Sequence, residues 1–399
     1  MSPLPSLPSS YSRVTLRQRP TGSINPSLNP KDEKRTFEWE KGIKMWEEKD
    51  IQAGEVVVRV EWVSIDPAMR GWLAPTRSYL PPVQIGAPMR ALCVGRVALL
   101  PSSRSSTALP SPAASSRPAT VEGGNEKSAP LVEVDSKEKK RRDLKVGDWV
   151  SGTFGWAEYA KVPLKEVTPI HIDSLIPPTV HLGVLGMTGQ TAFWGLFSVC
   201  APKPGETVVV SGAAGAVGSL ACQLAVQHGC KVIAIAGGKE KCRWLREEVG
   251  VEQVIDYKQD WNAFVKEFKE KVGYLDCYFD NVGGQILDLA LTRLNKGARI
   301  ALCGAISAYN DPSPTGLKMY LNLISQRAKL EGFIVFDYAS RYQEAEDHIT
   351  SLIRSNKLQI RETRVDGLEN APRALCDLFE GKNLGKMMVK VGGAAEGKL

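Results

Sequence analysis

The chain has 399 residues, 43% hydrophobic and 24% charged, the values of an ordinary globular protein long enough for two domains. Those proportions exclude a collagen, a coiled coil and wholesale disorder, and no stretch approaches the roughly 18 uninterrupted apolar residues of a membrane span. Fifty-one Lys and Arg against 44 Asp and Glu leave +7, mild for this length and partly held in one run at 137–142 (KEKKRR), so nucleic acid is not indicated and an anionic small ligand is compatible.

Residues 1–10 are rich in Ser and Pro and read as loose. They lack an apolar core of signal-peptide length, so secretion is not expected. Residues 54–63 (GEVVVRVEWV) alternate as a half-buried strand does, and 91–100 (ALCVGRVALL) read as another. The next segment, 101–143, holds Ser, Pro and Ala, has no aromatic residue and ends in the basic run. It reads as an inserted flexible loop, because it buries too little apolar surface to offset its ordering entropy. Strands resume near 149 and 157–162.

A different rhythm begins at 205. Apolar runs at 207–211, 231–236, 253–257, 276–280, 298–303 and 329–335 are separated by stretches of helical period, as in 217–228. Alternating β and α with near-continuous apolar strands predicts a parallel sheet covered on both faces, and six strands make a doubly wound domain. The tail reads as helix (341–355), strand (359–365), helix (368–380) and strand (385–391), without the βαβ cadence, and is expected to return to the first domain. The expected division is therefore 1–180, 181–339 and 340–399. None of the eight cysteines forms a C-x-x-C pair and the four histidines are scattered. The cysteines read as reduced and mostly buried, which goes with the cytoplasm, and no metal ligand set is expected.

The sharpest motif follows the strand at 207–211: Gly212-Ala-Ala-Gly215-Ala216-Val217-Gly218, then a helix. A glycine turn between strand and helix lets backbone approach a pyrophosphate at the helix N-terminus. NAD sites usually place an acid at the end of the second strand; here Gly237, Gly238, Lys239, Glu240 and Lys241 follow it. Glycines make room there and a lysine can neutralise a 2′-phosphate, so NADP(H) is the expected cofactor. A β domain ahead of such a unit suggests an alcohol-dehydrogenase-like enzyme. Yet there is no G-H-E, and the stretch where a first zinc ligand would stand reads Val63-Ser-Ile-Asp66-Pro-Ala68-Met-Arg70-Gly71. That points to hydride addition to a conjugated double bond, with a hydroxyl donor steadying the developing enolate.

Asp66-Pro-Ala-Met-Arg70-Gly, Leu185-Gly-Met-Thr-Gly-Gln-Thr-Ala192, the 212–218 turn, Tyr278-Phe-Asp-Asn281-Val-Gly-Gly284, Cys303-Gly-Ala-Ile-Ser-Ala-Tyr309-Asn310, Glu331-Gly-Phe333-Ile-Val335 and Asn383-Leu-Gly-Lys386 together carry a resemblance. The chain resembles the zinc-free medium-chain dehydrogenase/reductases, in the family of leukotriene B4 dehydrogenase/prostaglandin reductase and alkenal double-bond reductases, with its curcumin-reductase-like members. Only 1–12 and 101–143 fall outside it. The resemblance implies a GroES-like β-barrel domain beside the Rossmann sheet, a homodimer, and NADPH-dependent reduction of the C=C bond of α,β-unsaturated aldehydes or ketones. It implies that Gly215, Ala216, Val217 and Gly218 hold the pyrophosphate and that Lys241 and Tyr257 surround the 2′-phosphate. Asn281, Cys303, Gly304 and Ile306 would line the cofactor, and Phe333, Ile334, Val335 and Asn383 would contact its nicotinamide half. Tyr309 matches the active-site tyrosine. Ala68 stands where many members carry tyrosine, which implies a roomier pocket. A quinone reductase, a pathway-specific enoyl reductase and a non-catalytic NADPH-binding sensor remain open as alternatives.

Overall fold

The computed structural model describes residues 6–101 and 143–392; the inserted segment at 102–142, with its basic run, lies outside the described residues. An antiparallel ribbon, β1 (Ser10–Leu16) with β2 (Phe37–Lys44), precedes a larger sheet. That sheet begins with β3 (Glu55–Ser64), which leads through a short helix α1 (Met69–Trp72) to β4 (Leu92–Leu99), β5 (Trp149–Thr153), β6 (Tyr159–Pro163) and β7 (Thr168–Pro169). β3 pairs antiparallel with both β4 and β6, and its inward residues Val56, Val58, Val60 and Val63 are at most 1% exposed. They share one apolar cluster with Phe37, Met69, Leu73 and Trp156.

The second layer opens with α2 (Met187–Trp194), continues into β8 (Thr207–Val210) and then alternates strictly. Its helices are α3 (Ala216–Gln227), α4 (Lys239–Glu247), α5 (Trp261–Val272), α6 (Gly284–Leu291) and α7 (Leu321–Gln326). Its remaining strands are β9 (Lys231–Ala236), β10 (Gln253–Asp256), β11 (Leu275–Asp280), β12 (Leu294–Leu302) and β13 (Lys329–Gly332). The six strands run parallel in the order β10-β9-β8-β11-β12-β13. This is the doubly wound order that reverses beside the first strand, and ligands bind outside the strand ends at such a reversal. Side chains alternate between two cores: Val208, Val210 and Phe279 face α2 and α3, while Val209, Tyr278 and Ile300 face α5 and α6. Asp260 starts α5 by accepting from the N–H groups of Asn262 and Ala263.

Two expectations need correction. The strand expected over 329–335 stops at Gly332, because its only neighbour β12 ends at Leu302, the residue paired with Gly332. A one-turn-and-more 3-10 segment, Val335–Arg341, follows. The boundary expected at 340 also falls too early. Helix α8 (Tyr342–Arg354) buries Ile349, Leu352 and Ile353 in the same cluster as Leu220 and Leu224 of α3, so it covers the parallel sheet. The chain crosses back only with β14 (Glu362–Asp366), α9 (Ala371–Phe379) and β15 (Lys386–Lys390), and β15 pairs antiparallel with β3.

Candidate active site

The strand ends β8, β11 and β12 form the floor of the site. Asp280, the last residue of β11, is fully buried and ties three segments together. Its Oδ1 accepts from Ser211 Oγ at 2.7 Å and from the Val282 N–H at 3.1 Å, and Oδ2 accepts from the Gly283 N–H at 3.0 Å. Burial pushes its carboxyl above the ordinary range, and these donors pull the other way. Asn281 is fixed by donating Nδ2 to the Ser211 carbonyl at 2.7 Å, and its own carbonyl accepts from the Ile306 N–H. The Cys303 and Gly304 N–H groups both donate to the Asp280 carbonyl. Asn281, Cys303, Gly304 and Ile306 thus meet in one place. Burial raises the Cys303 thiol to about 12, so it stays protonated.

The glycine turn lies beside this floor. A Cβ on Gly218 would stand 2.4 Å from the Gly212 carbonyl oxygen, a distance no side chain tolerates. Helix α3 begins at Gly215 with no side-chain cap, which leaves the N–H groups of its first turn for an incoming anion. The fit to a dinucleotide continues at the end of β9. A Cβ on Gly237 would sit 2.6 Å from Cζ of Tyr257, so only glycine lets that ring lie against the strand end. Lys241, half-buried in the first turn of α4, and Tyr257 converge: a Cβ on Gly381 would be 3.9 Å from Lys241 Nζ and 4.0 Å from Tyr257 Oη. Burial lowers the Lys241 pKa and repulsion from Lys258 lowers it further. No carboxylate pairs with Lys241 among the described residues. Asp256, at the end of β10, spends one oxygen on the backbone N–H groups of Gly238 and Lys258. A desolvated ammonium beside another lysine, facing a phenol, is chemistry suited to a phosphate.

The tail completes the site. The Gly385 N–H donates to the Ala214 carbonyl at 2.8 Å, and Asn383 donates Nδ2 to the Gly385 carbonyl at 2.9 Å. Asn383 is thereby held on the loop that docks against the glycine turn. Val335 is anchored at the start of the 3-10 segment. Its side chain is buried with Trp194 and Ala345, and its carbonyl accepts from Tyr342 Oη at 3.0 Å. The Phe333 ring packs edge-on to Phe279, 6.4 Å between centroids.

Tyr309 leaves the end of β12 on an irregular loop. Its hydroxyl oxygen accepts from the Ala305 N–H at 3.2 Å, so the phenolic proton remains free to donate. Burial raises its pKa, the Ala305 bond opposes this, and Cys303 and the phenol of Tyr79 raise it further. Tyr79 comes from the loop between α1 and β4, is 46% exposed and packs on Phe336 at 6.1 Å. Sequence reasoning missed Tyr79, Arg70 and Lys386. The last two stood in quoted motifs, and that was the available signal.

Lys386 is 4% exposed and reaches from β15 to Asp66 Oδ1 at 2.5 Å and to the Ile65 carbonyl at 3.2 Å. Ser64 Oγ donates to the other Asp66 oxygen. Lys386→Met should lower unfolding stability by about 3 kcal/mol in a urea titration, because it leaves Asp66 without its counter-ion. Asp66→Asn added to Lys386→Met should recover part of that loss.

The N-terminal residues 13–107 match the family model described as the N-terminal domain of oxidoreductase, and 216–351 match the one described as zinc-binding dehydrogenase. The NADPH-dependent curcumin reductase of Escherichia coli is 34% identical over 361 residues, covering 87% of this chain and 91% of that protein. The NADP-dependent 2-alkenal reductase of Nicotiana tabacum is 42% identical over 248 residues, 61% of this chain and 71% of that protein. Among solved structures, CurA from Vibrio vulnificus in complex with NADPH superposes with a TM-score of 0.78 at 33% identity, covering 96% of this chain and 99% of that one. The name of one family model raises zinc. Among the described residues no three His, Cys, Asp or Glu side chains converge, and Asp66 is already held by Lys386 and Ser64. The donor set does not fit a bound zinc ion.

Proposed function

Because the chain belongs to the medium-chain dehydrogenase/reductases, among the curcumin, alkenal and prostaglandin reductases, and is an NADP(H)-dependent oxidoreductase of that group, we propose that it reduces the carbon–carbon double bond of α,β-unsaturated aldehydes and ketones. The observation that carries this reading is the Tyr309 phenol. Its oxygen is occupied by a backbone N–H, its proton is free, and it stands at the carboxyl end of the parallel sheet.

Bound NADPH would supply a hydride for the β-carbon of the substrate, and the α-carbon would take its proton from water to complete the reduction. The chain binds and orients both partners. The first-turn N–H groups of Ala216, Val217 and Gly218, after Gly215, hold the pyrophosphate. Lys241 and Tyr257 would take the 2′-phosphate. Asn281, Cys303, Gly304 and Ile306 would line the cofactor, and Phe333, Ile334, Val335 and Asn383 would contact its nicotinamide half. Tyr309 donates a hydrogen bond to the carbonyl oxygen as negative charge grows on it. Ala68, where many members carry tyrosine, would leave room for substituents beyond the enal unit.

We further assign a homodimer. β13 is an edge strand, and beside it Leu321 and Ile324 of α7 are 62% and 73% exposed, an apolar face a second copy would cover. All eight cysteines are free thiols, which supports a reducing compartment and hence the cytoplasm. Among the described residues no helix is long and apolar enough to cross a membrane.

The test is NADPH oxidation by chelator-dialysed protein against 2-alkenals, cyclic enones, aryl enones and quinones. Enals or enones should exceed quinones in kcat/KM by about tenfold or more. A preference for quinones would replace the reading with a quinone reductase. Tight NADPH binding without turnover of any acceptor would replace it with a sensor.

A further inference from the structure

The motifs Asp66-Pro-Ala-Met-Arg70 and Tyr309-Asn310 lie 240 residues apart and meet at one hydrogen bond. Arg70, on α1, is 8% exposed. It donates Nε to Asn310 Oδ1 at 3.0 Å, and Nη2 to the Gly22 carbonyl at 2.7 Å and, at 3.5 Å, to that of Pro20. Every acceptor is neutral. No carboxylate pairs with this guanidinium among the described residues, and burial lowers its pKa. Burying an arginine on neutral partners alone is costly, so the arrangement has to return something other than stability.

What it holds is the loop after β12. Upstream of Tyr309 that loop is fastened to its own domain, by the Ile306 N–H to the Asn281 carbonyl and by the Ser307 N–H and Oγ to the Val282 carbonyl. Downstream, the next such ties are the Lys318 and Met319 N–H groups on Asp288. Across 308–317 the remaining bonds are local, such as Asp311 N–H to the Ala308 carbonyl. The bond from Arg70 to Asn310 is the one hydrogen bond between this stretch and another segment among the described residues. It comes from the opposite domain.

We infer that Arg70 is a positioning residue: through Asn310 it holds the loop that presents the Tyr309 hydroxyl, so that the phenol is aimed when the two domains are apposed. The inference rests on the reading of Tyr309 as the donor to the substrate oxygen. Arg70 touches neither that oxygen nor the phenol. It sets the angle from which the phenol approaches.

Two measurements test it, on the full chain. In the first, hydride transfer to 2-nonenal is followed in single turnover. Arg70→Met and Asn310→Ala should each slow it about tenfold, the scale of a small misplacement at the reacting centre, while NADPH affinity stays within about twofold. Arg70→Lys, which keeps the charge and loses the fork, should fall between. In a Tyr309→Phe background neither substitution should slow the step further, since the group they position is gone. Losses that add in full in that background would overturn the inference. The second measurement does not depend on turnover. In protein labelled with 13Cζ-tyrosine, the Tyr309 signal is identified by its absence from Tyr309→Phe. Its titration midpoint should move down toward that of an exposed tyrosine in Asn310→Ala, as the freed loop admits water. An unmoved midpoint would overturn the inference as well. Asn310 is a partly exposed loop residue, so this variant keeps the test alive if Arg70→Met does not fold. If wild-type protein reduces no enal, the functional reading has failed, and the titration alone decides the positioning role.

Discussion

Replacing Lys241 with alanine is expected to raise the Michaelis constant for NADPH by about one to two orders of magnitude, the equivalent of the about 1.5–3 kcal/mol carried by a hydrogen bond to a charged group. The Michaelis constant for NADH should barely move. The argument starts from an energetic oddity. Lys241 is half-buried, burial and Lys258 both lower its pKa, and no carboxylate pairs with it among the described residues. A dianionic 2′-phosphate relieves both penalties at once, and the Tyr257 hydroxyl stands on the same side to donate to it. Lys239 is the control. It lies in the same helical turn and is exposed, so Lys239→Ala should change the NADPH constant several-fold less. Steady-state kinetics with both cofactors decides the matter, and equal wild-type efficiency with NADH and NADPH would sink the assignment of this corner.

The parallel-sheet layer was legible because its strands are buried on both faces. Runs such as 207–211 and 231–236 have no polar alternation to confuse, and glycines punctuate each end. The ribbon β1–β2 was not read, although Phe37, Trp39 and Ile43 recur at period two. Charged residues between them, Glu38, Glu40 and Lys41, mask the pattern in composition, and Arg13 pairs with Glu40 only once the strands are side by side. Helix α8 was assigned to the wrong layer for a similar reason. Its apolar face, Ala345, Ile349, Leu352 and Ile353, is plain in sequence, but nothing local says which core a surface helix covers.

The site divides along the same line. Gly218 and Gly237 were readable as places where backbone must pass close to something, and the structure supplies the obstacle in each case: the Gly212 carbonyl and the Tyr257 ring. Tyr309 was identified through the resemblance, and its place on a loop leaving a strand end of a doubly wound sheet is where such sheets bind ligands. Arg70, Lys386 and Tyr79 were not assigned roles. Their partners lie far off in the chain: Asn310 for Arg70, Asp66 for Lys386, Phe336 for Tyr79. A side chain whose meaning depends on a neighbour two hundred or more residues away leaves no local trace of that meaning. Asn383 and Val335 were assigned to the nicotinamide half by resemblance; the structure adds that the loop of Asn383 docks on the glycine turn and that the Val335 side chain is buried in the core.

Tyr309→Phe is expected to lower the turnover number by about 10- to 100-fold while NADPH affinity is unchanged. One preorganised donor to a developing oxyanion is typically worth about 2.7–4 kcal/mol, or 100- to 1000-fold. The smaller figure is expected because the cofactor's ribose hydroxyl and a water can replace part of the interaction. The substitution keeps the ring and removes the oxygen that accepts from the Ala305 N–H, a bond of 3.2 Å whose loss perturbs the loop little. The loss should therefore fall on the step in which charge develops and leave the ground state alone, so kcat and kcat/KM should drop together. Burial holds the phenol above its ordinary pKa, so the wild-type donor stays protonated through neutral and moderately alkaline pH. Any fall in rate on that account belongs above the ordinary tyrosine range and should be missing from Tyr309→Phe. Steady-state kinetics with a 2-alkenal, fluorescence titration of NADPH, and a deuterium isotope effect from 4-deuterated NADPH make the measurement. An unchanged turnover number with hydride transfer still rate-limiting would remove Tyr309 from the chemistry.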